Sequence, residues 1–394
     1  MRIDRRSLYT ALHELARVAD PRASIPILSH VLLRAENGIL ALTATDLTQT
    51  LTCKLPADGD LSTCVPAKLL AALVKPESKR DAGLVSLMLE GDRLVVETDS
   101  VTTRLPTADP ADFPSGFGSS LEWSFVGTCD AAPLRDAITW VLPAASTDAT
   151  RRHLCSVCLD NESATVAATD GHRLHTAPSP VSPIAPILLS ADAADILHRI
   201  LADGEQVIMA RAKTGEREVL RVRFGPWQIE TTLVDATFPP YQHVIPARDD
   251  QPTRFAVERI AFAKALRRVT AVAKNKQVQL CINGVLAISS ADVDGGEASV
   301  IVTVTGNTHS GPDLITASTP TTSSTPRRAP ATSSRWGSRR RWTPSAWMCP
   351  GGGARRSSCR AGSDPRPAFG LERCRGFSKK LLRHHLISRR RRRR

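Results

Sequence analysis

No stretch of the 394-residue chain approaches the roughly 20 consecutive apolar residues that span a bilayer, so a helical membrane protein is excluded. The N-terminal segment MRIDRRSLYTALHELARVAD carries Asp4 and Glu14 and has no apolar central stretch, so no secretory signal is expected. Cysteine is sparse. Cys53, Cys64, Cys129, Cys155, Cys158 and Cys281 are scattered over residues 1–316, which is no disulfide framework and suits a reducing cytoplasm. Cys155-x-x-Cys158 is the one close pair, but it lacks the second pair or spaced histidines that a zinc site needs, and its context LCSVCL reads as a buried strand. Gly-rich phosphate loops and metal-spaced clusters are absent too, so neither cofactor nor metal is expected. Acidic residues are nearly missing from one region only: Ala317–Arg394 holds 21 Lys+Arg and 2 Asp+Glu, a net of +19. Residues 1–316 hold the other 31 bases and 37 acids, a net of −6, so the formal charge of +13 comes entirely from the last fifth.

What is there is a repeat of about 125 residues, in a chain long enough for two or three domains. Ala-Thr-Asp occurs at Ala44–Asp46 and Ala168–Asp170, and Phe-Pro at Phe113–Pro114 and Phe238–Pro239. Each Phe-Pro follows an alternating Val/Thr-rich run expected to form half-buried strands. Amphipathic helices are expected over Ser7–Ala19, Ala132–Leu142 and Val257–Val269, the last with a stripe of Ile260, Ala263, Leu266 and Val269. A second helix is expected at Pro66–Val74 and at Ser190–Leu201, with Pro66 and Ser190 as start signals. Each unit thus reads as two helices packed on antiparallel sheets, an α+β tandem repeat. Domains are expected at residues 1–120, 126–246 and 253–316, the third being only a first half, followed by a basic tail over 317–394.

From Ala317 to Ala368 every residue but Met348 and Asp364 is Ala, Pro, Ser, Thr, Arg, Gly, Trp or Cys. All eight have codons with C or G in the middle. In a GC-rich gene the third codon position is biased in the same way, and a one-base shift moves that bias to the middle. The tail therefore reads as an out-of-frame translation. Thr316–Pro326 even permits codons that, one base earlier, spell a helix-forming segment where the third unit's second helix belongs. The competing reading is a disordered basic arm that holds phosphates through Arg389–Arg394.

Three segments resemble the bacterial DNA polymerase III beta subunit, the replicative sliding clamp: Ile25–Leu47, Ala167–His175 (AATDGHRLH) and Phe238–Pro246 (FPPYQHVIP). The resemblance covers residues 1–316. It implies three-domain protomers that close head to tail as a homodimer ring around double-stranded DNA, in the cytoplasm, with no catalytic residues. The ring tethers replicative polymerase, clamp loader and repair proteins through short linear peptides, raising their effective concentration. It also implies a partner-peptide pocket at Arg151, Leu154, Thr169, Gly171, His172, Arg173, Leu174, Pro239 and Val244. Of these, Leu154, Leu174, Pro239 and Val244 would supply an apolar groove for one or two anchors. DNA contacts are expected at Lys68, Lys75, Arg199, Lys264, Arg267 and Arg268 on helices, and at Arg22, Arg152 and His153 in loops. The family's chain end completes the pocket, but here the chain ends in Arg389–Arg394, and the second half of the third domain is lost with it. That loss is expected to weaken the dimer, on the expectation that the missing half carries the edge facing the other protomer.

Two rival functions remain. Catalysis would use Asp170 and His172, which on a strand would point to one face with no nucleophile nearby. The alternative is nonspecific nucleic-acid binding through the Arg-rich tail.

Overall fold

Asp4 closes the first strand, β1 (Arg2–Asp4), and caps the first helix, α1 (Arg5–Val18). Its carboxylate accepts from the Ser7 amide at 2.8 Å and the Ser7 hydroxyl at 2.6 Å, which satisfies one of the helix's orphan donors. Leu8, Leu12 and Leu15 fall on one face of α1 and are fully buried, as the stripe predicts.

The computed structural model describes residues 1–318 except 21, 79–82, 99–100, 115, 118–120, 247–253, 273–277, 283–284, 292–295 and 306–313; for 314–318 only the backbone is considered. Of the tail expected over 317–394, Ala317 and Ser318 are described and extend a strand, Leu314–Ser318; the rest, with its out-of-frame reading, lies outside the described residues.

After α1 come β2 (His30–Glu36), β3 (Ile39–Thr45), β4 (Gln49–Pro56), β5 (Leu61–Pro66), α2 (Ala67–Leu73), β6 (Leu84–Glu90), β7 (Arg93–Thr98) and β8 (Val101–Pro106). The second repeat runs β9 (Ser124–Asp130), α3 (Ala131–Val141), β10 (Ser156–Asp160), β11 (Thr165–Thr169), β12 (Leu174–Pro178), β13 (Ile187–Ser190), α4 (Ala191–Ile200), β14 (Gln206–Thr214), β15 (Arg217–Phe224) and β16 (Trp227–Thr232). The third runs β17 (Ala256–Val257), α5 (Arg259–Thr270), β18 (Val278–Ile282), β19 (Leu286–Ala291), β20 (Glu297–Val302), β21 (Val304–Thr305) and β22 (Leu314–Ser318). This is the expected α+β tandem repeat, and the helix positions agree with the sequence to within two residues.

The topology repeats strand for strand. The first half of each repeat is a four-stranded antiparallel sheet, ordered β5-β2-β3-β4, β13-β10-β11-β12 and β22-β18-β19-β20. The second half is β1-β6-β7-β8 in the first repeat and β9-β14-β15-β16 in the second. The two repeats are joined by a sheet: β16 pairs with β4 in five registered positions from Trp227↔Cys53 to Thr231↔Gln49. Helices α1 and α2 pack together, as do α3 and α4, over one continuous aliphatic core that spans both repeats.

Among the described residues the third repeat comprises its first half. β5 and β13 lead directly into α2 and α4, and β22 reaches the same point at Ser318, two residues past the expected limit at Thr316. Its core is separate and small, built on seven buried residues that include Ala265, Val269, Ile282 and Ile288. The stripe expected on α5 needs correction. Ile260 is 50% exposed, and the helix instead turns Phe262, Ala265, Leu266 and Val269 toward the sheet. Phe262 and Leu266, in the positions of Leu8 and Leu12, are only half buried. Among the described residues no second helix covers them. No described helix is long and apolar enough to cross a membrane.

Candidate functional site

The two copies of Ala-Thr-Asp fold into the same turn. In the second repeat, Thr169 ends β11, and its hydroxyl donates to the Arg173 carbonyl at 2.6 Å while accepting from the Gly171 amide at 3.1 Å. One Asp170 oxygen accepts from the amides of His172 (2.9 Å) and Arg173 (3.0 Å). In the first repeat, the Thr45 hydroxyl donates to the Gln49 carbonyl at 2.9 Å and accepts from the Leu47 amide at 3.1 Å. One Asp46 oxygen likewise accepts from Thr48 and Gln49 amides, each at 2.8 Å. The residue after Asp takes a left-handed backbone in both turns, Gly171 at φ +90° and Leu47 at φ +72°. Glycine does this without strain; leucine does not. The strand geometry assumed for an Asp170–His172 pair is therefore replaced by a turn in which the carboxylate is occupied by backbone. Burial opposes its ionisation, but the His172 and Arg173 amides and the Arg173 guanidinium, 3.0 Å away, outweigh it and keep the carboxyl below its ordinary value.

Around this turn the structure gathers most of the expected pocket. Arg151 reaches the Asp170 carbonyl (3.4 Å) from a short 3-10 turn that also carries Arg152, His153 and Leu154. The Arg151 guanidinium also pairs with Asp148 at 2.9 Å. Hydrogen bonds from the Thr150 hydroxyl and amide, then Arg151, hold the Asp148 carboxyl below its usual range. Leu154 is buried, Leu174 at the start of β12 is half-buried, and Gly171 and His172 are exposed.

Pro239 and Val244 belong to a segment fastened elsewhere. Its 3-10 turn, Tyr241–Val244, is tied to the far end of β10 and β11. Tyr241 Oη donates to Asp160 Oδ2 at 2.9 Å, and Gln242 Nε2 donates to the same oxygen at 2.8 Å. Ser163 Oγ lies 2.7 Å from Asp160 Oδ2 and 2.8 Å from Tyr241 Oη. Asp160 pairs with Thr165 at that end of the ladder, while Thr169 is at the other, four residues or about 13 Å away. Asp160, Ser163, Tyr241 and Gln242 escaped sequence reasoning because their partners are about 80 residues apart.

The expected DNA contacts divide by partner. Lys68 on α2, Lys75 just after it, and Lys264, Arg267 and Arg268 on α5 are exposed. Arg22 is 90% exposed and lies 3.7 Å from Asp20. Arg152 is exposed and His153 half-buried. Arg199 is instead bound to Asp195 by two hydrogen bonds of 2.9 and 3.0 Å, and Arg17 of α1 reaches the same carboxylate at 3.8 Å. Of LCSVCL, Ser156–Leu159 lie in the buried strand β10, while Leu154 and the half-buried Cys155 close the 3-10 turn before it; burial pushes the Cys158 thiol up to about 12. No group of metal-ligating side chains occurs among the described residues.

A tandem of α+β repeats, helices on antiparallel sheets and the first two joined by a shared sheet, is the architecture of a DNA sliding clamp. Residues 1–116 match the family described as DNA polymerase III beta subunit, N-terminal domain. The Beta sliding clamp of Caulobacter vibrioides is 28% identical over 319 residues, covering 75% of this chain and 82% of that protein. That of Escherichia coli K12 is 25% identical over 315 residues, covering 77% and 83%. Among solved structures, the Bartonella birtlesii sliding clamp bound to griselimycin superposes with TM-score 0.70 at 25% identity, covering 81% of this chain and 87% of that one. A Caulobacter crescentus beta sliding clamp gives 0.68 at 27%, covering 81% and 86%. Residues 1–116 thus belong to the DNA polymerase III beta subunit family, and the similarity to beta sliding clamps, non-catalytic processivity factors of DNA replication, runs on over about three quarters of the chain.

Proposed function

We propose that this chain works as a processivity clamp, closing head to tail with a second copy around duplex DNA and tethering polymerase and other clients by short peptides. The observation that carries it is the joint between β4 and β16. The outer strand of one repeat's first half pairs there with the outer strand of the next repeat's second half. By the repeat, β20 is the counterpart of β4, and β8 is the counterpart of β16. Both are outer strands of their sheets among the described residues. The same pairing between β20 of one copy and β8 of another would close a ring. Exposed bases on α2 and α5 support loose phosphate contact without base readout.

The same equivalence moves the expected defect. The second half of the third domain would pair with β12, not with β8 of another protomer. Impairment is then centred on the junction of the second and third repeats, with an incomplete third core behind β20. Light scattering across a dilution series tests both parts. A dimer near twice 42.6 kDa that dissociates on dilution is expected. A monomer at every concentration would sink the ring, and a dimer that never dissociates would sink the impairment.

The Arg-rich tail carries the second reading through its net +19. Deleting residues 317–394 separates the two. Loss of a steeply salt-dependent affinity for linear and circular DNA alike assigns binding to the tail. Retention on circular DNA with loss from linear ends assigns it to a ring.

A further inference from the structure

The segment bearing Pro239 and Val244 is held to the sheet by one carboxylate. Asp160 is buried at the end of β10, and its Oδ2 faces three donors: Ser163 Oγ, Tyr241 Oη and Gln242 Nε2. Its Oδ1 accepts from the Glu162 amide at 3.0 Å. Ser163 and Tyr241 have one hydroxyl proton each, while Asp160, Ser163 and Tyr241 make three close oxygen contacts. Two protons can fill only two of the three, and the carboxylate must be the acceptor. Tyr241 is buried, with its ring edge-on to Phe238 at 6.0 Å, so the hydroxyl end fixes the ring and the ring fixes the chain. Val244, 42% exposed, stands at the last position of the turn that Tyr241 begins.

We propose that Asp160 is the positioning residue for the second wall of the client-peptide pocket: through Tyr241 it sets where Pro239 and Val244 stand relative to the Thr169–Leu174 turn. This rests on the pocket assignment above. Asp160 need not touch the peptide. Its work is to hold, at the far end of β10 and β11, a segment whose Val244 and Ile245 are exposed and whose one buried side chain is Tyr241 itself.

The test uses the full chain and a fluorescein-labelled hexapeptide with adjacent leucine and phenylalanine anchors. Tyr241→Phe removes the hydroxyl and keeps the ring; Asp160→Asn keeps the volume and removes the charge. In each, the peptide dissociation constant is expected to rise about tenfold, or about 1.4 kcal/mol. Amide exchange over 238–246 is expected to quicken by a similar factor, while exchange over 169–174 stays unchanged. General destabilisation would quicken both segments, and that outcome would overturn a positioning role. So would unchanged affinity in Tyr241→Phe. If the unaltered protein fails to bind the peptide, the pocket assignment is what falls. The lock is then judged by exchange alone, and unchanged exchange over 238–246 would remove it too.

Discussion

Thr169 and Thr45 carry the same turn in two repeats, but only one turn borders the candidate pocket, so the pair forms an internal control. Thr169→Val removes a buried hydroxyl that donates to the Arg173 carbonyl and accepts from the Gly171 amide. Two bonds at about 1 kcal/mol each give a cost of about 2 kcal/mol. Gly171 is exposed, so water can recover its amide and the cost should not grow much further. Thr45→Val removes the matching pair and also a contact with the Thr50 hydroxyl at 3.1 Å, in a more deeply buried place. Its cost should reach about 3 kcal/mol. In a folding unit of this size, 2 kcal/mol lowers the melting temperature by about 4–8 °C. Scanning calorimetry should therefore rank Thr45→Val below Thr169→Val in stability. Fluorescence anisotropy with the same hexapeptide should rank them the other way, with only Thr169→Val weakening binding. A Thr169→Val protein melting within about 1 °C of the parent would refute the account of the turn. Equal loss of peptide affinity in both variants would refute its link to the pocket.

Leu47→Gly should stabilise the protein by about 0.5–1 kcal/mol, because an exposed leucine at φ +72° carries strain that glycine lacks. Gly171→Ala should do the reverse at φ +90°, costing about 1–2 kcal/mol; paired melting curves check both signs. Asp170 has a folded value below its unfolded one, so its stabilising contribution is complete above about pH 4 and is lost as the pH falls through the folded value. Asp170→Asn should therefore flatten the acid limb of a stability–pH profile, and an acid limb parallel to the parent's would contradict the sign.

Periodicity made the helices legible because each buries a stripe in a complete repeat, as Leu8, Leu12 and Leu15 do. It misplaced the stripe on α5, where half the expected core is missing from the described residues and Ile260 remains outside. The turn at Thr169–Leu174 was legible as a motif but not as a device. Its carboxylate serves backbone amides, which a strand-based placing of Asp170 and His172 could not show. The Asp160–Tyr241 lock was hidden for a simpler reason: hydrogen-bond partners 81 residues apart leave no local pattern. The family resemblance named pocket positions near both ends of β10 and β11, and the structure supplies the tie that the names omit.

The joint between β4 and β16 has a mechanical consequence. Five registered pairs, extended by bonds from Lys54 to Pro226 and from Thr232 to Thr48, run across the junction of the first two repeats. Bending there would shear a ladder of backbone bonds all at once, not slide one side chain past another. The first two repeats thus behave as one stiff arc. Among the described residues no such ladder ties β12 to the third repeat, so a load passed along the first two repeats reaches the third, with its small separate core, without a shared sheet.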